Sequence, residues 1–272
     1  MSDPQRTAVI TGASSGIGME TAIAFARRGW AVVLAARRAE RLAEVAGRCE
    51  SAGGAALAMP TDVCDPRQVD ALVARAVERF GRLDVMVNNA GIGLFARVHE
   101  TTEADMRDIF QTNFYGVFYG CKAAAAVMIR QRSGHIFNVS SVIGKRGTPF
   151  HGAYSATKFA VCGLTDSMRV EMLPYGVRVT CVCPALTDTE FFERSPGGGS
   201  ARSSFQRFNR IMPASAVARQ IVAAVGRNKP EIVVSAGGKF LALLAALSPW
   251  LTDKAMKMYH DDLAKRLASS RQ

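Results

Sequence analysis

Tyr154 and Lys158 stand four residues apart in a stretch whose pattern predicts a helix over 153–173. On a helix this spacing puts the phenol and the ammonium on one face, a turn apart. A free tyrosine, with a pKa of about 10, is a poor base at neutral pH, but a cation held beside it favours the phenolate. The pair therefore indicates proton transfer to or from an oxygen, although such a pair taken alone is usually only helix surface.

Two polar segments that end predicted strands accompany this pair. The sequence Asn-Val-Ser-Ser at 138–141 ends one strand 13 residues before Tyr154, where a hydroxyl can hydrogen-bond a substrate oxygen. The sequence Asn-Asn-Ala-Gly at 88–91 ends the preceding strand. Ligands of open parallel sheets bind beyond the carboxyl ends of the strands, so these segments are expected to border one cleft.

A glycine-rich turn lies between the first predicted strand, 8–10, and a predicted helix over 18–28. Its glycines remove Cβ atoms where the chain turns tightly, so that backbone N–H groups and the helix N-terminus can meet a pyrophosphate. Many glycine-rich turns are merely turns, and the place between strand and helix is what favours a phosphate cradle. The cradle residues predicted to bind a cofactor are Gly12, Ser14, Ser15, Gly16, Ile17 and Gly18.

The end of the second predicted strand indicates which dinucleotide the cradle would hold. An NAD enzyme usually has a carboxylate there for the ribose 2′-hydroxyl, whereas this chain has Ala-Ala followed by Arg37 and Arg38. A carboxylate would repel a 2′-phosphate, and a guanidinium can bind it through paired hydrogen bonds. The pattern favours NADP(H); the alternative is that both arginines are solvated loop residues.

Strand and helix patterns alternate along the whole chain. Strands that are apolar on both faces, separated by helices, predict an α/β fold: a Rossmann-like, doubly wound parallel sheet of about seven strands with helices on both faces. The predicted strands are 8–10, 31–36, 55–59, 85–87, 136–139, 177–182 and 232–234, and the predicted helices are 18–28, 39–49, 66–80, 102–131, 153–173 and 214–226.

The domain organisation follows from two stretches that break this alternation. Residues 1–238 are predicted to form the dinucleotide-binding and catalytic domain, and 186–212 to form a substrate flap within it. The apolar residues of the flap indicate a hydrophobic substrate; the alternative is that they only pack the flap against the domain. Residues 239–272 form an apolar helical C-terminal extension. Its apolar core, 240–251, is too short for a bilayer span of about 20 residues. It is expected to cover the cleft, to form a subunit contact or to lie in a membrane interface.

Composition excludes some classes of function. The net charge is +11, but the 34 basic residues are dispersed and show no reading motif, so no nucleic-acid partner is expected. The six cysteines form no CxxC pair and no metal-type spacing with histidine, which indicates reduced, buried thiols and no metal. Because a strand is predicted by Thr7, we expect no signal peptide. We expect a cytoplasmic protein, membrane-associated only if the extension meets a lipid surface.

Taken in order, the four motifs at 11–18, 88–91, 138–141 and 154–158 resemble those of the short-chain dehydrogenase/reductase family, in its compact single-domain branch, over roughly residues 6–235. The resemblance implies that Tyr154 exchanges a proton with the carbonyl or alcohol oxygen. It implies that Lys158 lowers the pKa of Tyr154 and binds the nicotinamide ribose. By its offset Ser141 is the better catalytic serine, with Ser140 in reserve, and Asn113 matches a helix asparagine that supports a proton relay.

The resemblance also implies the rest of the cofactor site and the assembly. Asp62 and Val63 match the pair near the adenine, and Thr189 matches a threonine that contacts the carboxamide or phosphates. The further implied cofactor-binding residues are Asn89, Ala90, Gly91, Pro184 and Thr187. Two departures are Ala185, where the family usually has glycine, and Ser15, where many NADP members have a basic residue. Family members usually form homodimers or homotetramers through the helices that carry Asn113 and Tyr154.

The function implied is that of an NADP(H)-dependent oxidoreductase interconverting a ketone or aldehyde and an alcohol on a hydrophobic small molecule. The alternative is a non-catalytic NADP-binding sensor or scaffold that kept the fold. The presence of Ser141, Tyr154 and Lys158 argues for the enzyme.

Overall fold

The computed structural model describes residues 5–191, 195 and 211–269. Seven strands of this part form one parallel sheet, and two short strands pair separately. In chain order the strands are β1 (Thr7–Thr11), β2 (Ala31–Ala36), β3 (Ala56–Pro60), β4 (Val85–Asn88), β5 (Gly134–Val139), β6 (Val177–Cys183), β7 (Thr187–Asp188), β8 (Met212–Pro213) and β9 (Glu231–Val233). The large sheet has the order β3-β2-β1-β4-β5-β6-β9, and β7 pairs with β8.

Helices cover both faces of the sheet. In chain order they are α1 (Gly16–Ala26), α2 (Ala39–Ser51), α3 (Pro66–Phe80), α4 (Glu103–Phe110), α5 (Gly116–Gln131), α6 (Gly152–Glu171), α7 (Ala214–Ala224), α8 (Ala236–Leu247) and α9 (Pro249–Ser269). Short 3₁₀ turns lie at Val98–Glu100, Val142–Gly144 and Leu173–Tyr175, and a π-helical turn lies at Gln111–Tyr115.

Two hydrophobic cores fill the spaces between the helices and the sheet. One core joins α1, α2 and α7, with side chains such as Phe25, Leu42 and Ile221. The other joins α3, α5 and α6, with side chains such as Leu72 and Met128. Strands β1 and β4 are buried along their whole length, as a parallel sheet covered on both faces requires. The predicted doubly wound α/β fold is confirmed.

The helix expected over 102–131 is divided by the π-helical turn. Its start carries a capping box, in which the Thr102 side chain accepts from the Asp105 N–H and the Asp105 carboxylate accepts from the Thr102 N–H. The π turn adds one residue to the helical repeat between α4 and α5. Apolar periodicity does not reveal such an insertion, since the helical turns on either side of it keep the same apolar faces toward the core.

The order of the strands creates the crevice where the candidate site lies. After β3 the chain returns to the centre of the sheet, and β4 pairs with β1 on the side opposite to β2. The connections that follow β1 and β4 therefore go to opposite faces and leave an opening above their carboxyl ends.

Two regions lie outside this sheet. Of the predicted flap 186–212, the residues 192–194 and 196–210 lie outside the described residues. The predicted extension 239–272 contains most of α8 and α9, which pack against each other. No helix of the described residues is both long enough and apolar enough to cross a membrane.

Candidate active site

One cavity of about 910 Å³ opens above the carboxyl ends of β1, β2, β4, β5 and β6. The segment after β6 and parts of α8 and α9 close its sides. Among the predicted site residues, Gly18 and Asn113 do not line this cavity. The others do: Gly12, Ser14, Ser15, Gly16, Ile17, Arg37, Arg38, Asp62, Val63, Asn89, Ala90, Gly91, Ser141, Tyr154, Lys158, Pro184, Thr187 and Thr189.

The glycine-rich turn has no room for side chains at its three glycine positions. Gly12 and Gly16 have φ of 65° and 53°, in the left-handed region that favours glycine. A Cβ on Gly12 would lie 2.8 Å from Asn89 Nδ2, and one on Gly18 would lie 2.3 Å from the Gly12 carbonyl oxygen. Gly18 thus contributes by letting α1 approach the turn. The turn and the start of α1 leave backbone N–H groups open to an anion such as a pyrophosphate, and binding there stays a prediction.

Thr11 joins this turn to the end of β4. Its Oγ1 accepts from the N–H groups of Asn89, at 2.9 Å, and Ala90, at 3.1 Å. In return the Asn89 Nδ2 donates to the Thr11 carbonyl oxygen at 2.9 Å. Sequence analysis did not single out Thr11. Its position at the polar end of an otherwise apolar strand is the signal that could have found it.

The arginine pair at the end of β2 is divided between two environments. Arg37 is exposed. Arg38 is partly buried, and its guanidinium donates to the hydroxyls of Ser14 and Ser15 at 2.9 and 3.1 Å. It also forms an ion pair of 3.1 Å with Glu190, which follows β7. Sequence analysis found no acid near this position, because Glu190 is 152 residues away along the chain.

Asp62 and Val63 follow β3, the edge strand next to β2, and face the cavity. The Asp62 side chain accepts from the Cys64 N–H at 3.0 Å, which fixes the turn, and Val63 is buried. Val63 also lies close to Gly116 at the start of α5, where an added Cβ would be 2.8 Å from a Val63 methyl carbon. These contacts hold both residues at the cavity wall.

Ser141, Tyr154 and Lys158 meet in the centre of the cavity. The Tyr154 hydroxyl hydrogen-bonds with the Ser141 side chain, and the Ser141 Oγ accepts from the Ile143 N–H at 3.2 Å. Lys158 is 4% exposed, and its Nζ donates to the Val139 carbonyl oxygen at 3.0 Å. That Nζ lies 5.5 Å from the centre of the Tyr154 ring. The three side chains expected to act together are therefore adjacent.

Burial controls the ionisation of both members of the pair. It raises the pKa of Tyr154, and the hydrogen bond with Ser141 opposes this only in part. Burial also lowers the pKa of Lys158 to about 8, against a raising effect of nearby thiols. The lowering of the Tyr154 pKa by Lys158 stays a prediction, and in this structure the net pKa of Tyr154 is raised. The desolvation penalty on a phenolate outweighs the nearby charge.

Asn113 occupies the π-helical turn and is wholly buried. Its Oδ1 accepts from the Ile92 N–H at 2.8 Å, and its Nδ2 donates to the Ile92 carbonyl oxygen at 2.9 Å and to Thr157 Oγ1 at 3.3 Å. Because Thr157 immediately precedes Lys158, the Asn113 side chain connects the β4 loop to α6. Its side chain is fully engaged as a support for the site.

The segment after β6 forms the opposite wall. The Ser141 Oγ approaches the Pro184 carbonyl oxygen at 3.4 Å. Thr187 Oγ1 donates to the Ala185 carbonyl oxygen at 2.8 Å. Thr189 lies against the glycine-rich turn, where a Cβ on Gly16 would be 2.7 Å from its methyl carbon. The segment therefore spans the distance from the catalytic side chains to the phosphate cradle.

An apolar compartment adjoins the catalytic side chains. The Phe191 ring lies 5.4 Å from the Tyr154 ring, centre to centre. Met256 and Tyr259 of α9 line the same cavity. His151 also lines it, and burial lowers its pKa to about 4, so the ring is neutral at pH 7. Sequence analysis offered the apolar segment 240–251 as a cover for the cleft, but it did not single out Met256 or Tyr259, because the sequence around them carries no motif.

This fold and this site define a dinucleotide-binding oxidoreductase, and comparison with known proteins agrees. The model of the short chain dehydrogenase family matches residues 6–197. The chain belongs to the short-chain dehydrogenase/reductase family of oxidoreductases.

Individual relatives extend this result. The chain is 37% identical over 269 residues to the uncharacterized oxidoreductase YxnA of Bacillus subtilis, covering 97% of this chain and 75% of that one. It is 41% identical over 192 residues to a 3beta-hydroxysteroid dehydrogenase of Mediterraneibacter gnavus, covering 70% and 69%. A short chain dehydrogenase/reductase from Burkholderia phymatum in complex with NAD superposes with a TM-score of 0.83 at 28% identity, covering 92% and 96%.

Proposed function

We propose that this protein is an NADP(H)-dependent carbonyl reductase or alcohol dehydrogenase that acts on a hydrophobic small molecule. The observation that carries the proposal is the meeting of Ser141, Tyr154 and Lys158 in the cavity that also contains the glycine-rich turn and Arg38. A nicotinamide dinucleotide, when bound, supplies or accepts the hydride.

In the direction of reduction, Tyr154 acts as the acid. The Ser141 hydroxyl orients the substrate carbonyl oxygen, and the neighbouring Tyr154 hydroxyl donates its proton to that oxygen. The Lys158 ammonium, fixed by the Val139 carbonyl oxygen, stabilises the phenolate that results. In the direction of oxidation the same phenolate takes the proton of the alcohol. No metal is assigned a role in this reaction.

The preference for NADP(H) over NAD(H) rests on charge. The end of β2 carries Arg37 and Arg38 and no acid, and Ser14 and Ser15 already hold the Arg38 guanidinium at the cavity edge. A 2′-phosphate in this place gains two guanidinium partners and hydroxyl donors. Arg37 is exposed and forms no ion pair among the described residues, so we expect its guanidinium to be available to the phosphate.

The apolar compartment supports a hydrophobic substrate. Phe191, Met256 and Tyr259 border the space beside Tyr154, and a compartment of this kind favours an extended apolar body carrying one carbonyl. A steroid or an acyl chain satisfies this description. The hydroxysteroid dehydrogenase among the relatives makes steroids the first class to test.

The assembly proposed is a homodimer or homotetramer formed through α5 and α6. These two helices expose the large apolar side chains of Phe118, Phe159 and Val170, and apolar surface of this kind favours burial against a second copy. For α8 and α9 we propose a mixed role, since one face lines the cavity and the other can meet a membrane surface. A location in the cytoplasm accommodates both.

The deciding experiment measures oxidation of NADPH against steroids, 3-oxoacyl thioesters, retinoids and simple aromatic ketones. We expect turnover of at least one apolar carbonyl class, with NADPH preferred to NADH. Tight NADPH binding without turnover of any member would instead favour the non-catalytic sensor or scaffold. A preference for NADH would refute the role given to Arg37 and Arg38.

A further inference from the structure

The segment that precedes the catalytic helix α6 contains a rare backbone conformation. Phe150 has a φ of 65°, in the left-handed region that a bulky side chain seldom adopts. The residue is nevertheless buried, and His151, at the start of α6, follows it directly. Such a conformation persists only where the surrounding structure holds it. The contacts that hold Phe150 therefore also determine where α6 starts, and so where Tyr154 lies.

The loop after β4 supports one side of this turn. The Phe150 carbonyl oxygen accepts from the Ala96 N–H at 3.0 Å. The Arg97 guanidinium lies 5.4 Å from the centre of the Phe150 ring, within the range of a cation–π contact. The Phe95 ring meets the His151 ring edge-on, with 4.6 Å between their centres. Backbone and side chains of this loop thus both contact the turn.

Helix α9 supports the turn from a second direction. The His260 ring stacks on the Phe150 ring, with 5.3 Å between the centres and 18° between the planes. Tyr259 and Leu263 are buried with Phe150 in one apolar cluster. Met256, Tyr259 and Leu263 follow the three- and four-residue spacing of one helix face. Because Met256 and Tyr259 line the cavity, the face of α9 that meets Phe150 is also the face that closes the cavity.

An ion pair attaches the beginning of α9 to the same segment. Asp253 pairs with Arg146, which lies shortly after the 3₁₀ turn at Val142–Gly144. Helix α9 is therefore attached at two points to the stretch of chain that joins Ser141 to Tyr154. The Asp253 side chain is 68% exposed, and ion pairs this exposed contribute little. The ring contacts of Phe150 are thus the stronger of the two attachments.

We propose that α9 is a clamp, whose contacts with Arg146 and Phe150 hold Tyr154 beside Ser141, and that Phe150 and His260 are positioning residues for the reaction. Neither of the two is among the described residues that line the cavity, so both act through their neighbours. Displacement of a reacting group by about 1 Å can lower a rate by about a hundredfold. The effect on rate rests on the proposed function, whereas the clamp itself is a property of the fold.

Exchange of His260 tests the clamp in the full-length protein. Its side chain is 45% exposed, so we expect the variants to fold. His260→Ala should lower kcat for carbonyl reduction by about tenfold and leave the Kd of NADPH unchanged. His260→Phe, which restores a ring that can stack on Phe150, should recover most of the lost rate. His99→Ala removes a histidine whose side chain is 77% exposed and should behave as the wild type does.

Amide hydrogen exchange tests the clamp without relying on turnover. Peptides that cover 145–155 should exchange about threefold faster or more in His260→Ala, and at the wild-type rate in His260→Phe and His99→Ala. Asp253→Asn should give a smaller acceleration in the same peptides, and it replaces His260→Ala if that variant does not fold. If the wild type reduces no carbonyl, faster exchange in His260→Ala still supports the clamp, and only the proposed function fails. Unchanged exchange, or a kcat equal to that of the wild type, would overturn the clamp.

Discussion

At Tyr154 and Lys158 the decisive force is desolvation. Burial makes a phenolate costly and an ammonium costly, so it raises the pKa of Tyr154 and lowers the pKa of Lys158 to about 8. Tyr154 therefore remains a proton donor throughout the neutral range, which suits reduction of a carbonyl. The Lys158 ammonium has its largest stabilising effect when the phenol of Tyr154 loses its proton to the substrate.

Replacing the phenol tests its role as the acid directly. Tyr154→Phe removes the hydroxyl and keeps the ring that packs against Phe191. We expect the rate of NADPH oxidation with a carbonyl substrate to fall by about 10³-fold, while NADPH affinity, measured by fluorescence titration, changes little. Tyr175→Phe, in the 3₁₀ turn that follows α6 and outside the cavity lining, should be fully active. Ordinary rates in Tyr154→Phe would remove Tyr154 from the mechanism.

The ionisation of Lys158 predicts the shape of the pH profile. The group is charged below its pKa of about 8 and neutral above it. The stabilisation of the Tyr154 phenolate by Lys158 is therefore complete at pH 6 to 7 and is lost as the pH rises through about 8. We expect kcat/KM for reduction to decline with a midpoint near pH 8, measured at constant ionic strength. A flat profile to pH 9.5 would contradict this.

Sequence reasoning selected Ser141, Tyr154 and Lys158, which the structure brings together in one cavity, because their types and spacing suit proton transfer. It did not identify Thr11 or Glu190, since their roles depend on contacts with distant parts of the chain. It also did not anticipate that burial raises the pKa of Tyr154. A spacing of four residues specifies a neighbour but not the depth of burial, and here depth has the larger effect.

Among the elements, the positions of the sheet strands and most helix bounds followed closely from apolar patterns. Continuous runs of buried residues in β1, β2 and β4 can only suit a sheet covered on both faces. The π-helical turn at Gln111–Tyr115 could not be predicted, because one inserted residue leaves the apolar face of α5 intact. Nevertheless that turn directs Asn113 toward Ile92 and Thr157 and so supports the position of Lys158.

The connection between β2 and the segment after β7 gives a prediction about cofactor choice. Glu190 holds Arg38 in an ion pair of 3.1 Å that is about one-third exposed. A 2′-phosphate must compete with this carboxylate for the guanidinium. Glu190→Gln removes the competitor and its repulsion, so we expect NADPH to bind about three- to tenfold more tightly, an effect kept small by solvent screening.

Measurements with NADH and with two arginine variants show whether the effect of Glu190→Gln on NADPH binding acts through the 2′-phosphate. NADH, which lacks the 2′-phosphate, should bind Glu190→Gln as it binds the wild type. Arg37→Ala should weaken NADPH much more than NADH, and Arg41→Ala, an exposed arginine on α2 paired with Glu44, should change neither. Titration of each variant with both cofactors provides the comparison. Equal changes for NADPH and NADH would show that Glu190 and Arg37 act on the fold rather than on the phosphate.

For the whole molecule, the two faces of the C-terminal helices have different surroundings. Leu241 of α8 and Met256 of α9 line the cavity. On the outer side, Phe240, Leu243, Leu247 and Trp250 are 58–75% exposed. No acidic residue lies between Glu231 and Asp253, and the Lys254 ammonium stands 3.7 Å over the Trp250 ring. Apolar side chains beside cations, on a chain of net charge +11, match an anionic lipid surface.

Exchange of two exposed leucines tests this outer surface. We expect the wild type to sediment with vesicles that contain phosphatidylglycerol, and to do so less at high salt. The double variant Leu243→Glu with Leu247→Glu should remain in solution, because it loses apolar area and gains negative charge. Ala71→Glu with Ala74→Glu, at exposed positions of α3, adds the same charge and should still bind. If the leucine variant instead dissociates an oligomer in sedimentation velocity, and no variant binds vesicles, the surface is a subunit contact. In either case soluble-substrate turnover should persist, since neither leucine lines the cavity.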